Sequence, residues 1–176
     1  MIQKIRLFGD EVLSKVAEPL SPDDPKAQQV VQDLIDTLNV NEEFALAAPQ
    51  VGHSFRIFVI NPIWIEDEQK RKPMIFINPE FVEFSGEQFM PEGCLSIPEI
   101  FEKVKRAQHI VLRAQDLSGK WSTYKGQDLF ARAAQHENDH LDGVLFIDKI
   151  SPIRRKLLYG KLKKLASTTK NGVNVG

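Results

Sequence analysis

The apolar positions of the chain recur with several distinct spacings. After Asp24, with Pro25 suited to a first helical position, Val30, Val31, Leu34, Ile35 and Leu38 fall on one face and predict a helix capped by Asp24. Arg56 to Ile60 and Met74 to Asn78 are rich in β-branched and aromatic residues and are closed by Asn-Pro pairs. They read as strands, with Phe81 to Phe84 extending the second and the polar run Glu66 to Lys72 forming a surface loop between them. His109 to Gln115 alternates apolar Ile110, Leu112 and Ala114 with polar neighbours. It turns at Asp116-Leu117-Ser118-Gly119 and returns through Trp121 to Tyr124, which is a hairpin pattern.

Further along, Leu129, Phe130, Ala133, Ala134 and Leu141 predict a core-packed helix between Asp128 as cap and Gly143 just past its end. Ser151-Pro152 opens a last helix with Leu158, Leu162 and Leu165 along one face, weakened at Gly160 by up to about 1 kcal/mol. Near the start, a Gly9-Asp10 turn precedes a short helix over Glu11 to Ala17 that Pro19 stops. Strands in the middle with helices at either end give an α+β class: short antiparallel strands packed around a central helix, with N-terminal and C-terminal helices.

A chain of 176 residues with 42% hydrophobic content can bury one sizeable core, so a single domain over 1–169 is expected, followed by a flexible tail over 170–176. The net charge of -1 gives no reason to expect nucleic acid or an anionic membrane as the main partner. Without an uninterrupted apolar run of secretory or membrane-spanning kind, the expectation is a cytoplasmic protein, and it is taken to be a monomer. Arg154 to Lys170 departs locally from this balance, with seven basic residues and no acidic one. It is either a solvated helix face or a weak docking patch for RNA or an acidic surface. The single cysteine, Cys94, cannot form an internal disulfide and is therefore a buried filler or a functional group.

The chemistry centres on Gln135-His136-Glu137-Asn138-Asp139-His140. Two imidazoles four residues apart on a helix stack one above the other and can share one ion. Glu137 beside them can take a proton from water whose pKa the ion lowers to about 7. A hydrolytic site needs a third protein ligand, and Glu92-Gly93-Cys94-Leu95-Ser96 is the best source, because Gly93 lets the backbone approach closely and the only thiol follows it. In Ala47-Ala48-Pro49-Gln50, the small residues permit close backbone contact and the Gln50 amide can donate to a ligand oxygen; a tight core segment ending in a polar turn is the plainer alternative. His53 and His109 lack ligand spacing and read as surface or satisfied polar residues.

These three stretches, in this order, resemble the signatures of the peptide deformylases of the bacterial type with a helical C-terminus. The resemblance implies removal of the formyl group from the N-terminal methionine of new polypeptides, with formate as co-product. It also implies Cys94, His136 and His140 as metal ligands, Glu137 as general base and then acid, and Gln50 with the Leu95 backbone N–H facing the developing oxyanion. Phe44, Ala45, Met90, Arg132 and Ala133 would line the substrate cleft, with Glu92, Arg106 and Asp139 in support. The implied ion is Fe²⁺, with Zn²⁺, Ni²⁺ or Co²⁺ as substitutes, and the implied partners are formylated nascent peptides and, through the basic last helix, the ribosome.

The sequence departs from the family pattern at three positions. Glu43 and Ala45 stand where the first signature has glycines, and Arg132, four residues before His136 and so on the metal-facing side of the helix, stands where an apolar residue is usual. Arg132 is expected to meet Glu43 across the mouth of the pocket, to recognise an acidic group on an unusual substrate, or to snorkel to solvent. The alternatives to deformylation are a related amide hydrolase with another N-acyl substrate and a binding protein that keeps the metal as a structural element.

Overall fold

A computed structural model of the chain describes residues 1–67 and 71–170. Helix α1 (Pro25–Val40) starts as expected, with the Asp24 side chain accepting from the Lys26 N–H. Strands β1 (Ala45–Ala47), β2 (Ile57–Ile60) and β3 (Met74–Ser85) follow, then β4 (Gln88–Cys94), β5 (Ile97–Arg106), β6 (His109–Gln115) and β7 (Trp121–Gln127). Helix α2 (Asp128–Leu141) and helix α3 (Pro152–Lys170) complete the order. Five strands form one antiparallel sheet in the order β1-β2-β3-β6-β7, and among the described residues β4 and β5 pair only with each other. The α+β reading holds, with α2 at the centre.

Strand β2, between β1 and β3, is buried along its whole length, and its alternation divides the core. Ile57 and Val59 pack with Val30, Val31, Leu34 and Leu38 of α1 on one face. On the other, Phe58 and Ile60 meet Phe76, Leu112 and the alanines Ala131, Ala133 and Ala134 of α2. Small residues on α2 let the helix lie close to the sheet, while each fully buried Leu, Ile or Phe opposite contributes about 1.5–3 kcal/mol. A third cluster joins Ile97, Ile100 and Val104 of β5 to Leu145, Phe146, Ile147 and Leu162, with Leu158 and Leu165 of α3 packed against it. The predicted apolar face of the last helix is therefore the one that docks.

Several local expectations change. The N-terminal helix expected over Glu11 to Ala17 is a 3-10 turn of Glu11–Ser14. The pair Asn78-Pro79 does not close β3: Asn78 takes a left-handed conformation at φ 48 beside a register shift, its amide bonds Leu20 and Gln115, and the strand runs on through Phe84. Asp128 does not cap α2 but is its first residue at φ 51, and Gln127 precedes it without a capping bond. The far end behaves as expected: Gly143 is at φ 70, its N–H donates to the His140 carbonyl, and the Val144 N–H reaches that of Asp139. This bonding closes the last turn of the helix. The β4–β5 pair was not anticipated. The flexible tail expected over 170–176 lies, from residue 171 onward, outside the described residues, as do residues 68–70 of the surface loop. No helix among the described residues is long and apolar enough to cross a membrane.

Candidate metal centre

The site is assembled from α2, the end of β4 and the turn after β1. On α2 the four-residue spacing puts the His136 and His140 rings 5.0 Å apart, and β4 brings Cys94 against them, with Sγ 3.4 Å from His140 Nε2. Ligand atoms of all three residues lie within 4.8 Å of one another. A tetrahedral ion with bonds of about 2.3 Å to sulfur and 2.05 Å to nitrogen requires a sulfur-to-nitrogen edge of about 3.6 Å, close to that spacing. One soft thiolate and two borderline imidazoles suit Fe²⁺, Zn²⁺, Ni²⁺ and Co²⁺ alike. The residues present therefore fit a divalent transition metal.

One carboxylate orients the centre. Glu92, buried on β4, receives Arg106 through two bonds of 2.8 and 2.9 Å, Arg132 Nη1 at 2.5 Å, and the His136 Nδ1 at 2.9 Å. This bond fixes the His136 ring and leaves its other nitrogen for an ion. Burial opposes the charge on Glu92, but Arg106 and His136 outweigh it and hold the carboxyl down at about 2. Asp139 bonds Arg106 and lies 3.3 Å from Lys149, so it steadies the cluster rather than a ligand directly. Burial likewise opposes a proton on His136, yet Cys94 and Glu92 raise its pKa, whereas burial draws that of His140 down.

The Glu92 pairing makes a testable statement about acid stability. Its folded pKa lies below the unfolded value of 4.5, so the contribution is present above that pH and is lost as pH falls towards about 2. At 1.36 kcal/mol per unit, its size is about 3 kcal/mol. Denaturant unfolding of the metal-free protein should show Glu92→Gln destabilised by that order at pH 7, with the gap to wild type closing as pH drops from about 4.5 to 2.

The remaining groups face the same centre. Gln50, in the 3-10 turn after β1, accepts the Ala47 N–H at 2.9 Å through Oε1, which aims its Nε2 at Cys94 Sγ, 3.3 Å away, and at Ser96 Oγ. Glu137 is 4% exposed, and among the described residues its Oε2 and the His140 Nδ1 are buried without a hydrogen-bond partner. Burial first, then the Glu43 and Glu92 carboxylates, push Glu137 up to about 7 against the pull of His136 and Arg106. A cavity of about 200 Å³ opens onto these groups, lined by Glu43, Phe44, Ala45, Leu95, Leu129, Arg132 and Ala133 among others. A larger depression of about 870 Å³, bounded by Trp64, Tyr124 and Phe130, holds none of the three ligand candidates.

Set against the sequence expectations, the structure brings together Cys94, His136, His140, Glu137, Gln50 and Leu95, and it lines the cavity with Phe44, Ala45, Arg132 and Ala133. Met90 does not line the cavity: it shares the Glu92 face of β4 but lies farther along the strand, and its side chain is 54% exposed. Arg132 neither bonds Glu43 nor snorkels; it is 7% exposed and bound to Glu92, Gln88, Met90 and Val104. Gly93 lines the cavity as expected, and it has a second reason to lack a side chain, since a Cβ there would lie 2.5 Å from the Phe101 ring. His53 bonds Asp33 at 3.3 Å and His109 is exposed, both as expected.

Sequence reasoning missed Gln135 as a clamp. Its amide accepts the Ala107 N–H at 3.1 Å and donates to the Ala107 carbonyl at 3.0 Å, tying α2 to the end of β5. Its place beside His136 was the available signal.

Comparison with known proteins agrees with this geometry. The sequence profile of the polypeptide deformylase family matches residues 2–156. The peptide deformylase of Acidobacterium capsulatum is 41% identical over 165 residues, covering 94% of this chain and 96% of that protein. That of Thermotoga petrophila is 41% identical over 168 residues, covering 95% and 98%. Among solved structures, the peptide deformylase of Legionella pneumophila superposes with a TM-score of 0.84 at 37% identity, over 93% of this chain and 95% of that one. For the enzyme of Thermus thermophilus the TM-score is 0.86 at 34% identity, over 97% and 99%. With the profile match spanning most of its length and the ligand triad converging in space, the chain belongs to the polypeptide deformylase family.

Proposed function

We infer that this chain hydrolyses the N-formyl group from the N-terminal formylmethionine of nascent polypeptides, releasing formate and leaving a free amine. The observation that carries the reading is the convergence of Cys94, His136 and His140 beside a buried Glu137 at the floor of an open cavity. Fe²⁺ is the native ion in this reading, with Zn²⁺, Ni²⁺ or Co²⁺ as substitutes. A divalent ion held by the triad supplies Lewis acidity, polarising the formyl carbonyl and making water acidic near neutral pH.

The chain's own residues do the rest. Glu137 takes a proton from the attacking water and returns it to the amine nitrogen as the C–N bond breaks. Gln50 Nε2 and the Leu95 N–H donate to the oxygen on which negative charge develops, and donors fixed before reaction stabilise that charge without reorganising. Phe44, Ala45 and Ala133 form the neighbouring wall against which the methionine end of the peptide rests. A structural metal would require neither a buried unpartnered carboxylate nor an open cavity, which disfavours a binding protein. Another N-acyl substrate loses one of its three motives, because the Arg132 guanidinium is already committed within the protein, while Glu43 and Ala45 still line the cavity.

In this reading residues 1–169 act as one catalytic domain, monomeric and cytoplasmic. The exposed basic residues of α3 supply a weak contact with the ribosome. Anaerobically purified protein, analysed for metal, should release formate from formyl-Met peptides much faster than it cleaves acetyl-Met peptides or formyl peptides with an acidic first residue. Equal turnover of these substrates would contradict the assignment.

A further inference from the structure

The three ligand candidates sit on two parts of the fold that share no strand ladder. His136 and His140 belong to α2, whereas Cys94 belongs to β4, which pairs only with β5 and not with the five-stranded sheet. Side chains that cross between α2 and the β4–β5 pair therefore bear directly on their relative placement. Arg106 crosses from β5, bonding Glu92 on β4 and Asp139 on α2. Arg132 crosses from the opposite direction.

From α2, Arg132 Nη1 donates to Glu92 Oε1 at 2.5 Å and to the Met90 carbonyl at 3.3 Å. Its Nη2 reaches the Val104 carbonyl of β5 at 3.2 Å, and its Nε reaches Gln88 Oε1 at 3.2 Å. One side chain thus makes four bonds to the two strands. It also completes Glu92: Oε1 accepts from Arg106 Nε and Arg132 Nη1, while Oε2 accepts from Arg106 Nη2 and faces His136 Nδ1. With both oxygens engaged twice, the carboxylate has no freedom to rotate away from His136. An apolar side chain at this position could fill the volume but could make none of these bonds, and the Met90 and Val104 carbonyls and a carboxylate oxygen would each lose a donor.

We propose that Arg132 is a positioning residue of the metal centre, holding the strand that carries Cys94 against the helix that carries His136 and His140, with Glu92 as the shared partner. A planar fork is what the arrangement uses, since its donors diverge to a carboxylate and two strand carbonyls at once. Arg132 lines the cavity, yet it acts through Glu92 and the strand rather than on the reacting atoms.

The proposal rests on Cys94, His136 and His140 being a metal centre, and the test separates the two. The full chain is loaded with Co²⁺, and two quantities are followed: the rate at which a chelator removes the ion and the absorption spectrum of the bound ion. Arg132→Met should release Co²⁺ about 10–100-fold faster than wild type and shift the spectrum, as changes next to metal ligands commonly do. Arg132→Lys, which keeps the charge but not the fork, should fall between them. A wild-type release rate and spectrum in Arg132→Met overturn the proposal. If that variant does not fold, Arg132→Lys is judged by the same two readouts, and wild-type behaviour overturns the proposal there as well. Wild-type protein that binds no Co²⁺ overturns the metal-centre reading itself, and this proposal with it.

Discussion

Replacing Glu137 by Gln should lower formate release about a thousandfold or more while the protein keeps its ion, because positioned acid–base groups contribute about 10²–10⁴-fold and Glu137 serves in both proton transfers. The amide preserves shape, so the His136 and His140 rings on either side keep their places. Glu137 Oε2 is buried without a partner, and its carboxyl is pushed up to about 7, chiefly by burial. In the ion-free chain a carboxyl poised there accepts a proton and gives it back near neutral pH. The same displacement carries a stability cost with the opposite sign to that of Glu92. A folded pKa above the unfolded 4.5 means that stability falls as pH rises from 4.5 to about 7. At 1.36 kcal/mol per unit, Glu137→Gln should relieve up to about 3 kcal/mol of it in metal-free protein above pH 7. Lost turnover with retained metal and unchanged or increased stability is the combined signature. Loss of metal or of fold would instead assign Glu137 a structural role.

Cys94→Ala should lose both the ion and the activity. Apparent binding energies of about 10–16 kcal/mol for four-ligand zinc sites imply roughly 2.5–4 kcal/mol per ligand, so removing the thiolate should weaken retention by about a hundredfold to a thousandfold. Sulfur also supplies the only soft donor of the three, and what remains is a pair of imidazoles that holds borderline ions weakly. The fold should survive, because Cys94 is only partly buried at the edge of the cluster around Ile97 and Phe146, and a Cys-to-Ala change there costs about 1 kcal/mol. Metal analysis after gel filtration, together with a thermal melt, separates the two effects. A Cys94→Ala protein that retains a full complement of ion would contradict the ligand assignment.

The parts of the fold that could be read from sequence are those in which local chemistry and tertiary packing agree. Helix α1 shows its Asp24 cap and Pro25 start, and α2 shows its apolar stripe and its Gly143 stop. The β6–β7 hairpin shows strict alternation on β6. The β4–β5 pair gives no such signal. Pro91 and Gly93 interrupt β4, and Glu99 at φ 63 shifts the pattern of β5, so that Ile97, Ile100 and Val104 are buried at spacings of three and four, a helical spacing on a strand.

The site divides in the same way. His136 and His140 are paired by helical geometry alone, and Cys94 follows from being the only thiol. The side of α2 on which Arg132 projects was legible from its spacing to His136. Its partner was not, because Glu92 lies 40 positions away on a strand the sequence did not disclose. The positive φ at Asp128 likewise hid the true start of α2, where an acidic residue that reads as a cap is instead the first helical residue.

The most direct test titrates anaerobically prepared, metal-free protein with Fe²⁺ and follows formate release from a formyl-Met peptide. The triad predicts that activity climbs linearly and levels off at one ion per chain, with Cys94, His136 and His140 each required for the plateau. Full activity without added ion, or a full complement of ion bound with no formate released, would contradict the account.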